Sequence, residues 1–452
     1  MISGIKNIAR SILKFHKTRM IVCAFLIIIL TGTLLLMLPV SSIKGTTSFT
    51  DALFTATSAT CVTGLAVFDT GAYWTGFGQA VILCLIQIGG IGFMTVVTMV
   101  FVMLRKKINL SERMMIKESL GAETDEGLVL LTKHIFTGTF LFEFIGAVLL
   151  SIRFVPAFGF KKGVGMSVFH SVSAFCNAGF DIIGKNNSIQ SFANDSYVCL
   201  VLSALIIIGG LGFIVWEDFL RVFKEKKRFS LQTKIVLSST AILLILGTIM
   251  FFVFEYHNPE TMGNMSVADK AVNSFFQSVT ARTAGFASVD MASFSNASKL
   301  LFIILMFIGG APASTAGGIK VVTVFVLFAA VYSSLKGKNE IVMFKRKIDY
   351  RFVMRAVSVV AIAMSATFIS VFIILSNTGF AAMDVIFEAV SAVATVGLSL
   401  GITSSLPDFA KLIITALMFF GRVGVITVAL SFMGRVKTTP KISYPEEKII
   451  IG

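Results

Sequence analysis

A phenylalanine followed ten residues later by a glycine occurs four times in this chain, each time within a segment of small residues. Successive glycines of this pattern lie 115, 106 and 112 residues apart, which is a nearly regular spacing. The pairs are Phe54/Gly64, Phe169/Gly179, Phe275/Gly285 and Phe387/Gly397. A unit that is repeated four times in one membrane chain can close into a ring, and a ring around an axis can form a pore.

The composition is that of a polytopic membrane protein and not that of a soluble one. Hydrophobic residues make up 56% of the 452 residues and charged residues only 14%, with 44 phenylalanines. Eight apolar stretches are each long enough to cross a hydrocarbon core about 30 Å thick as a helix. They are 20–38, 79–103, 135–153, 197–219, 235–254, 299–330, 353–375 and 411–432.

The distribution of basic residues predicts the orientation of the chain. Most of the 39 lysines and arginines lie in the stretches 1–19, 104–134, 220–234, 331–352 and 433–452. Lysine and arginine mark the cytoplasmic side, so both termini are expected inside the cell. The net charge of +15 therefore reports topology and contact with anionic lipid. Nucleic-acid binding is not expected, because these charges are spread over five loops without aromatic partners.

Sequence motifs for nucleotide binding or catalysis are not found. The five cysteines have no metal-ligand spacing, the four histidines are isolated, and neither glycine-rich nucleotide motif occurs. An enzyme within the membrane would need a cluster of titratable groups, whereas only Glu143, Lys320, Arg422 and boundary residues such as Glu388 are available. We therefore predict that the chain is not an enzyme and binds no nucleotide itself.

Each repeated segment lies between two apolar stretches, on the predicted outer side. Ten helical residues rise about 15 Å, half of the hydrocarbon thickness, so each segment can only dip to mid-membrane. The predicted fold is an all-α integral membrane protein with four tandem helix, half-helix, helix repeats arranged pseudo-fourfold around a central ion pore. The units are the cytoplasmic N-terminus 1–19, the repeats 20–104, 135–220, 235–332 and 353–433, and the cytoplasmic tail 434–452.

The half-helices are predicted to favour a cation at the membrane centre. Asp51, Asp269 and Asp384 precede three of them, where a carboxylate caps free amides and complements the positive helix end. The negative ends then point inward. Each following glycine permits backbone conformations that turn carbonyl groups towards the axis, and four such strands would replace the hydration shell of a monovalent cation.

The stretch 299–330 is predicted to be interrupted, since a helix of that length would measure about 48 Å. Its middle, residues 309–318, contains four glycines and a proline, which disfavour helix. Such a segment at mid-membrane should form a loop beside water or other protein. Two interpretations stay open, a gate in the pore and a flexible kink without a gating role.

Two arginines lie within or beside apolar segments. Arg422 is central in the last apolar stretch, where an arginine costs roughly 3 kcal/mol, and it should face the pore or a carboxylate. It could be an electrostatic barrier, a partner of the loop, or an ion-pair partner, for example of Glu388 or a chain terminus. Arg282, three residues before its glycine, is expected to point away and hold the backbone. Cys61 and Cys176 occupy the same place and are expected to pack as small apolar residues.

The repeated segments and their companions carry a family resemblance. The segments are TCVTG (60–64), FCNAG (175–179), ARTAG (281–285) and VATVG (393–397). The companions are QIGGIGF (87–93), IGGLGF (208–213), IGGAPASTAGGIK (308–320) and FGRVG (420–424). In this order they cover nearly the whole chain, which resembles the Trk/Ktr/HKT superfamily of potassium transporters and is most similar to a bacterial Ktr-type membrane subunit.

The resemblance implies roles for particular residues. The third-repeat loop of the family lies beneath a filter and gates the pore. The implied ion-binding filter is formed by Thr60, Cys61, Val62, Thr63, Gly64, Asn177, Ala178, Gly179, Thr283, Ala284, Gly285, Thr395, Val396 and Gly397. The implied gating residues are Gly309, Gly310, Ser314, Thr315, Gly317, Gly318, Lys320 and Arg422. A glycine at position 64 resembles the potassium-selective members.

The resemblance also implies an ion, a location and partners. It implies potassium uptake across the plasma membrane, often with sodium dependence, by a homodimer that works with a cytosolic ring of nucleotide-binding RCK-type subunits. The expected contact surface is Arg221–Lys234 and Lys336–Arg351, with contact to lipid headgroups as the weaker interpretation. The alternatives are a sodium or poorly selective cation transporter and a secondary transporter of another solute. The latter predicts inverted repeats, whereas these run in one orientation.

Overall fold

The described part of the chain is almost wholly helical. The computed structural model describes residues 2–103, 128–184, 188–226, 228–338, 340–424 and 427–428. Most of the basic loop 104–134, the end of the last apolar stretch and the predicted tail 434–452 lie outside the described residues. The expectations for those segments therefore stay predictions.

The first half of the chain contains two runs of a long helix, a shorter helix and a broken helix. The first run is α1 (Ile2–Met37), α2 (Phe49–Thr60), α3 (Thr70–Tyr73), α4 (Gly76–Ile91) and α5 (Phe93–Met103). The second run is α6 (Leu128–Phe158), α7 (Phe160–Phe175), α8 (Ser196–Gly210) and α9 (Phe213–Glu225). Short 3₁₀ turns at Pro39–Ser41 and Gln190–Phe192 lie in the connections.

The second half repeats the same order with one addition. Its helices are α10 (Leu231–Glu255), α11 (Val267–Thr280), α12 (Asn296–Phe307), α13 (Val321–Leu335), α14 (Tyr350–Asn377), α15 (Ala382–Val393) and α16 (Asp408–Val423). A hairpin of β1 (Ile341–Met343) and β2 (Arg346–Ile348) lies between α13 and α14, with Ile341 opposite Ile348. The sequence did not predict this hairpin, since the segment has only three residues in each strand.

The long first helix of each run has the length and composition of a membrane span. These spans are Arg19–Leu36, Leu128–Phe158, Leu231–Glu255 and Tyr350–Asn377. Their outer faces expose large apolar side chains, such as Phe144 at 68% and Phe372 at 75%, which a lipid environment would cover. The described structure is therefore that of an α-helical membrane protein.

The second apolar stretch of each run is broken, although the sequence predicted an interruption only in the third. Gly92, Gly212 and Gly424 have φ angles of 87°, 92° and 94°, which an α-helix cannot accommodate. The helices α8 and α9 meet at 88° across such a break. The continuous helices expected over 79–103 and 197–219 are therefore wrong, because glycines in the motifs already quoted adopt left-handed backbone angles.

Apolar packing connects the runs in cyclic order. One buried cluster joins the first two runs through Ile86 and Phe175 and extends into the third run. A second cluster packs Phe302 against Phe387 of the fourth run, with ring centroids 6.2 Å apart. A third cluster joins the fourth run to the first, with Phe54 as a member. Since lipid is as apolar as these side chains, close packing and not water exclusion stabilises the contacts.

Candidate ion-binding site

The short helices α2, α7, α11 and α15 lead the chain into the site. Ser48 begins α2, and its hydroxyl accepts a hydrogen bond from the amide of Asp51 at 3.1 Å. Ser266 begins α11 in the same way, accepting from the amide of Asp269 at 3.2 Å. The expectation that aspartates precede and cap these helices is corrected. Serines cap α2 and α11, whereas α15 begins after Ala381 without a side-chain cap. The three aspartates lie in the first turn of their helices, where their charge complements the helix end.

After each short helix the chain makes the same turn. The second residue before each repeated glycine has a positive φ angle, and so has the glycine itself. The angles are 55° and 96° at Val62 and Gly64, 58° and 68° at Asn177 and Gly179, 67° and 81° at Thr283 and Gly285, and 51° and 91° at Thr395 and Gly397. Such angles cost non-glycine residues about 1–3 kcal/mol and are concentrated at functional sites. Their fourfold recurrence marks these turns as one site.

The four glycines are neighbours in a closed order. A Cβ atom built on Gly64 would lie 3.2 Å from Cα of Gly179, and one on Gly179 would lie 2.8 Å from Cα of Gly285. A Cβ on Gly285 would lie 3.5 Å from Cα of Gly397, and one on Gly397 would lie 2.8 Å from Cα of Gly64. The last glycine thus returns to the first, and we call this arrangement the glycine ring.

Carbonyl oxygens lie against the glycine ring in the same order. The Cβ positions of the four glycines would meet the carbonyl oxygen of the residue that precedes the next glycine, at 2.1 to 2.7 Å. These carbonyl groups belong to Thr63, Ala178, Ala284 and Val396. A side chain at any of the four glycines would collide with main-chain atoms, so the ring requires glycine for space as well as for φ.

Several hydroxyl groups beside the ring are buried without a hydrogen-bond partner in the described chain. They are Oγ1 of Thr60, Thr63 and Thr395. Buried polar atoms in folded proteins are nearly always satisfied by protein, water or an ion. Cys61 and Cys176 begin the turns after α2 and α7 and are buried free thiols. The expectation of purely apolar packing does not hold for Cys176, whose thiol donates to the Glu143 carboxylate at 3.7 Å.

An open cavity of about 470 Å³ is lined by all four glycines and by residues that follow them in the chain. Asp69, Asp181 and Asp290 also line it. Burial raises the pKa of the Asp181 carboxyl to about 7, and the nearby Asp69 carboxylate acts in the same direction. Sequence reasoning did not single out these carboxylates, although Asp69 and Asp290 each lie five residues after their glycine and Asp181 lies two residues after its own.

On the other side of the ring lies the loop between α12 and α13, which we call the intramembrane loop (residues 308–320). Its two ends pair with each other, since the amide of Gly309 donates to the carbonyl of Ile319 at 2.8 Å. A Cβ on Gly317 would overlap Oγ1 of Thr395, and one on Gly318 would lie 2.7 Å from the carbonyl oxygen of Ala394. The loop therefore packs directly against the fourth turn.

The intramembrane loop is also bonded to the break between α8 and α9. The amide of Phe213 donates to the carbonyl of Ala313 at 2.7 Å, and the amide of Ala311 donates to the carbonyl of Gly210 at 3.0 Å. The hydroxyl of Thr315 donates to the carbonyl of Phe175 at 3.1 Å. These bonds depend on the break at Gly212. In a continuous helix the amide of Phe213 would donate to a carbonyl group of the same helix and could not bind the loop.

Two basic side chains hold the intramembrane loop. Arg422 donates to the carbonyl of Thr315 in the loop and to the carbonyls of Gly89 and Gly90 at the end of α4. Lys320 donates to the carbonyl of Ala316 at 2.7 Å and to that of Gly317 at 3.3 Å. Of the interpretations of Arg422 that the sequence left open, the structure favours a partner of the loop.

The alternative ion pair between Arg422 and Glu388 is not formed among the described residues. One oxygen of the Glu388 carboxylate accepts from the Thr403 hydroxyl instead. Arg282 points from its turn towards α10, where it donates to Thr240 at 3.4 Å.

Glu143 is buried and accepts two hydrogen bonds from the Gln87 amide, at 2.9 and 3.0 Å. The structure thus brings the predicted ring and loop residues together, and adds Gly89, Gly90 and the cavity carboxylates Asp69, Asp181 and Asp290.

Comparison with known proteins agrees with this geometry. Residues 9–439 match the TrkH family, which is described as cation transport protein. The chain is 41% identical over 439 residues to Ktr system potassium uptake protein B of Bacillus subtilis, covering 97% of both chains. It is also 41% identical over 445 residues to the potassium/sodium uptake protein NtpJ of Enterococcus hirae, covering 97% of this chain and 98% of that one.

A solved structure has the same fold. The potassium transporter TrkH from Vibrio parahaemolyticus aligns with a TM-score of 0.69 and 19% identity, over 91% of this chain and 84% of that chain. The predicted all-α membrane fold is therefore confirmed. The match over residues 9–439 and the two relatives at 41% identity establish that the chain belongs to the TrkH family of cation transport proteins, which are ion transporters and not enzymes.

Proposed function

We propose that the chain takes up potassium across the plasma membrane through a pore whose narrow part is the glycine ring. The observation that carries the proposal is the closed order of Gly64, Gly179, Gly285 and Gly397, each against a carbonyl oxygen of the next turn. A ring of carbonyl oxygens replaces the hydration shell of a monovalent cation. Of the two relatives at 41% identity, one is named a potassium uptake protein and the other a potassium/sodium uptake protein, which supports the choice of ion.

The electrostatics of the site suit a cation. The four short helices end at the ring, so the negative ends of their dipoles converge where the ion would sit in a pseudo-fourfold pore. The unpartnered hydroxyls of Thr60, Thr63 and Thr395 are further oxygen donors close to the path. Asp69, Asp181 and Asp290 would raise the concentration of cations in the outer cavity.

We infer that the intramembrane loop is the gate of this pore. It packs against the fourth turn and is held by Arg422, Lys320 and main-chain hydrogen bonds to the break between α8 and α9. A hydrogen bond from a charged donor contributes about 1.5–3 kcal/mol, so a few such bonds keep the loop in place without making its movement prohibitive. Residues Gly309, Gly310, Ser314, Thr315, Gly317 and Gly318 would move with it.

Orientation and partners are part of the proposal. The distribution of basic residues supports a cytoplasmic location of both termini. A cytosolic ring of RCK-type subunits would contact Arg221–Lys234 and Lys336–Arg351, and two copies of the chain would form a homodimer. The β1–β2 hairpin belongs to this surface, since Phe344 at its turn is 49% exposed and lies beside several basic residues.

A second candidate ion is sodium, transported with potassium or in its place. The observation that favours it is the similarity to NtpJ, whose name specifies potassium and sodium. The ring has one glycine per turn and four unequal turns, so fewer well-defined coordination layers are expected than in a filter with four identical strands.

The test is cation uptake by potassium-transport-deficient cells that express the chain or Gly285→Ser. We expect the chain to rescue growth at limiting potassium, and Gly285→Ser to lower the ratio of rubidium to sodium uptake about tenfold, since a Cβ there would lie 2.4 Å from the carbonyl oxygen of Val396. Gly379→Ser is the matched control, because nothing lies within 4 Å of its Cβ position. An unchanged ratio in an expressed Gly285→Ser protein would contradict the proposal.

A further inference from the structure

Arg282 has an unused hydrogen-bond donor at a buried place. It lies directly before the positive-φ residue Thr283 of the third turn, and it is 8% exposed. One terminal nitrogen donates to the hydroxyl of Thr240 on α10 at 3.4 Å. Its Nε is buried and forms no hydrogen bond with any part of the chain that the structure describes. A guanidinium group keeps its charge in proteins, so this donor cannot be removed by deprotonation.

A small cavity of about 20 Å³ lies beside this arginine. Its polar lining comes from Arg282, Thr240 and Asn177, and its walls include Gly210 at the end of α8 and Gly310 of the intramembrane loop. A site of this volume holds one water molecule, and a buried water needs two to four polar partners. The cavity offers three side chains with polar atoms, from three separate parts of the chain.

We propose that this cavity binds one structural water molecule, which accepts a hydrogen bond from Nε of Arg282 and bridges it to Asn177 and Thr240. This water-mediated bridge connects the third turn of the glycine ring to the second turn, and the water lies next to Gly310 of the intramembrane loop. The water satisfies a charged donor that no side chain reaches. It also explains why a charged residue is tolerated three residues before a ring glycine, since its charge is solvated on the side away from the axis.

The expected effect on ion selectivity rests on the proposed potassium uptake. The presence of the bound water does not depend on that proposal. Loss of the bridge would loosen the third turn relative to the second and leave the loop with one contact fewer. We expect weaker discrimination between potassium and sodium, and not a loss of folding.

The direct test is a structure of the whole protein in lipid nanodiscs at a resolution that shows ordered water. We expect one peak within hydrogen-bond distance of Nε of Arg282 in the native chain, and none in Gly210→Ala. The methyl group of Gly210→Ala would enter the cavity, since its one contact within 4 Å is the Asn177 amide at 3.4 Å. An empty cavity in the native chain would overturn the proposal, and so would a peak of the same height that persists in Gly210→Ala.

The functional test compares the same variants in rubidium and sodium uptake. We expect Gly210→Ala to lower the uptake ratio about tenfold, the effect of one hydrogen bond to a charged group. Gly76→Ala is the helical control and should leave the ratio unchanged, because nothing lies within 4 Å of its Cβ position. Thr240→Val leaves the cavity unfilled but removes the hydroxyl that bridges to the water and accepts directly from Arg282, so it should change the ratio in the same direction if Gly210→Ala does not fold. A native ratio in both folded variants would overturn the role of the water.

Discussion

At the scale of single residues, the site depends on backbone angles that side chains normally avoid. The glycines of the ring have φ angles of 68° to 96°, and the residues two before them, which include Val62 and Asn177, have 51° to 67°. A valine in this conformation is strained, and the hydrogen bonds at the end of each short helix must compensate for it. The amide of Cys61, for example, donates to the carbonyl of Thr57 at 2.7 Å.

Asp181 gives the outer cavity a pH dependence. Its pKa is raised to about 7, so the carboxyl is mostly neutral at pH 6 and mostly charged at pH 8. A negative charge attracts cations, and we therefore expect the half-saturating potassium concentration for uptake to be about threefold lower at pH 8 than at pH 6. Uptake kinetics at both pH values measure this directly.

The matched variants separate this carboxyl from its neighbours. Asp181→Asn should lose most of the pH difference and resemble the native chain at pH 6. Asp290→Asn also changes a cavity carboxyl, but should keep the difference because Asp181 is still present. An undiminished pH difference in Asp181→Asn would show that another group titrates.

Arg422 is expected to affect the rate of transport more than the choice of ion. Its bonds to Thr315, Gly89 and Gly90 hold the intramembrane loop and do not reach the ring itself. In Arg422→Ala we expect the maximal uptake rate to increase about tenfold. The ratio of rubidium to sodium uptake should stay nearly native. Arg153→Ala, at a half-exposed arginine paired with Asp195, is the control. A native rate would favour a structural role for Arg422.

At the scale of elements, the breaks in the second helices are the central feature. The glycines Gly92, Gly212 and Gly424 end helices at similar places in three runs, and the third run has a whole loop instead. The break at Gly212 frees the amide of Phe213, which binds the loop. The break in the second run thus provides a hydrogen-bond donor that holds the intramembrane loop of the third run.

Shortening the intramembrane loop should increase ion flux. Deletion of residues 310–317 removes the segment that packs on Thr395 and accepts the Arg422 hydrogen bond. If the loop blocks the path beneath the ring, rubidium influx at saturating concentration should rise several-fold, since one barrier is lost. Unchanged flux in a well-folded deletion variant would leave the loop as a kink without a gating role.

At the scale of the whole molecule, contacts between the first and last runs close the structure. Lys411 of α16 donates to Asp51 of α2 at 2.7 Å, and both side chains are largely buried, at 10% and 14% exposure. The apolar cluster around Phe54 joins the same two runs. A pore made from one chain needs such a closure, because its two ends are far apart in sequence.

Breaking this ion pair should destabilise the whole protein. Lys411→Met leaves Asp51 without its charged partner, and we expect a loss of about 3 kcal/mol in the free energy of unfolding, measured by thermal unfolding in detergent. The double variant Lys411→Met/Asp51→Asn should recover part of the loss. Lys347→Met breaks an exposed pair with Glu340 and should cost less than about 1 kcal/mol. Equal effects of the two single variants would contradict a role in closure.

The sequence by itself determined the membrane class, the fourfold repetition, the family resemblance, and the glycines and loop that form the site. These properties are local, since apolar length, glycine spacing and helix-breaking composition are readable along the chain. The breaks at Gly92 and Gly212 could also have been predicted, because a pair of glycines precedes each of them in the sequence. The length of the apolar stretches by itself indicated continuous helices.

Only the tertiary structure decided which groups meet. It placed Gly397 beside Gly64, gave Arg422 carbonyl partners in place of Glu388, and joined the loop to the end of α8. It also gathered Asp69, Asp181 and Asp290 around one cavity, and left Nε of Arg282 facing another. These contacts join residues about 100 to more than 300 positions apart, and their partners depend on how the four runs pack, which no local pattern encodes.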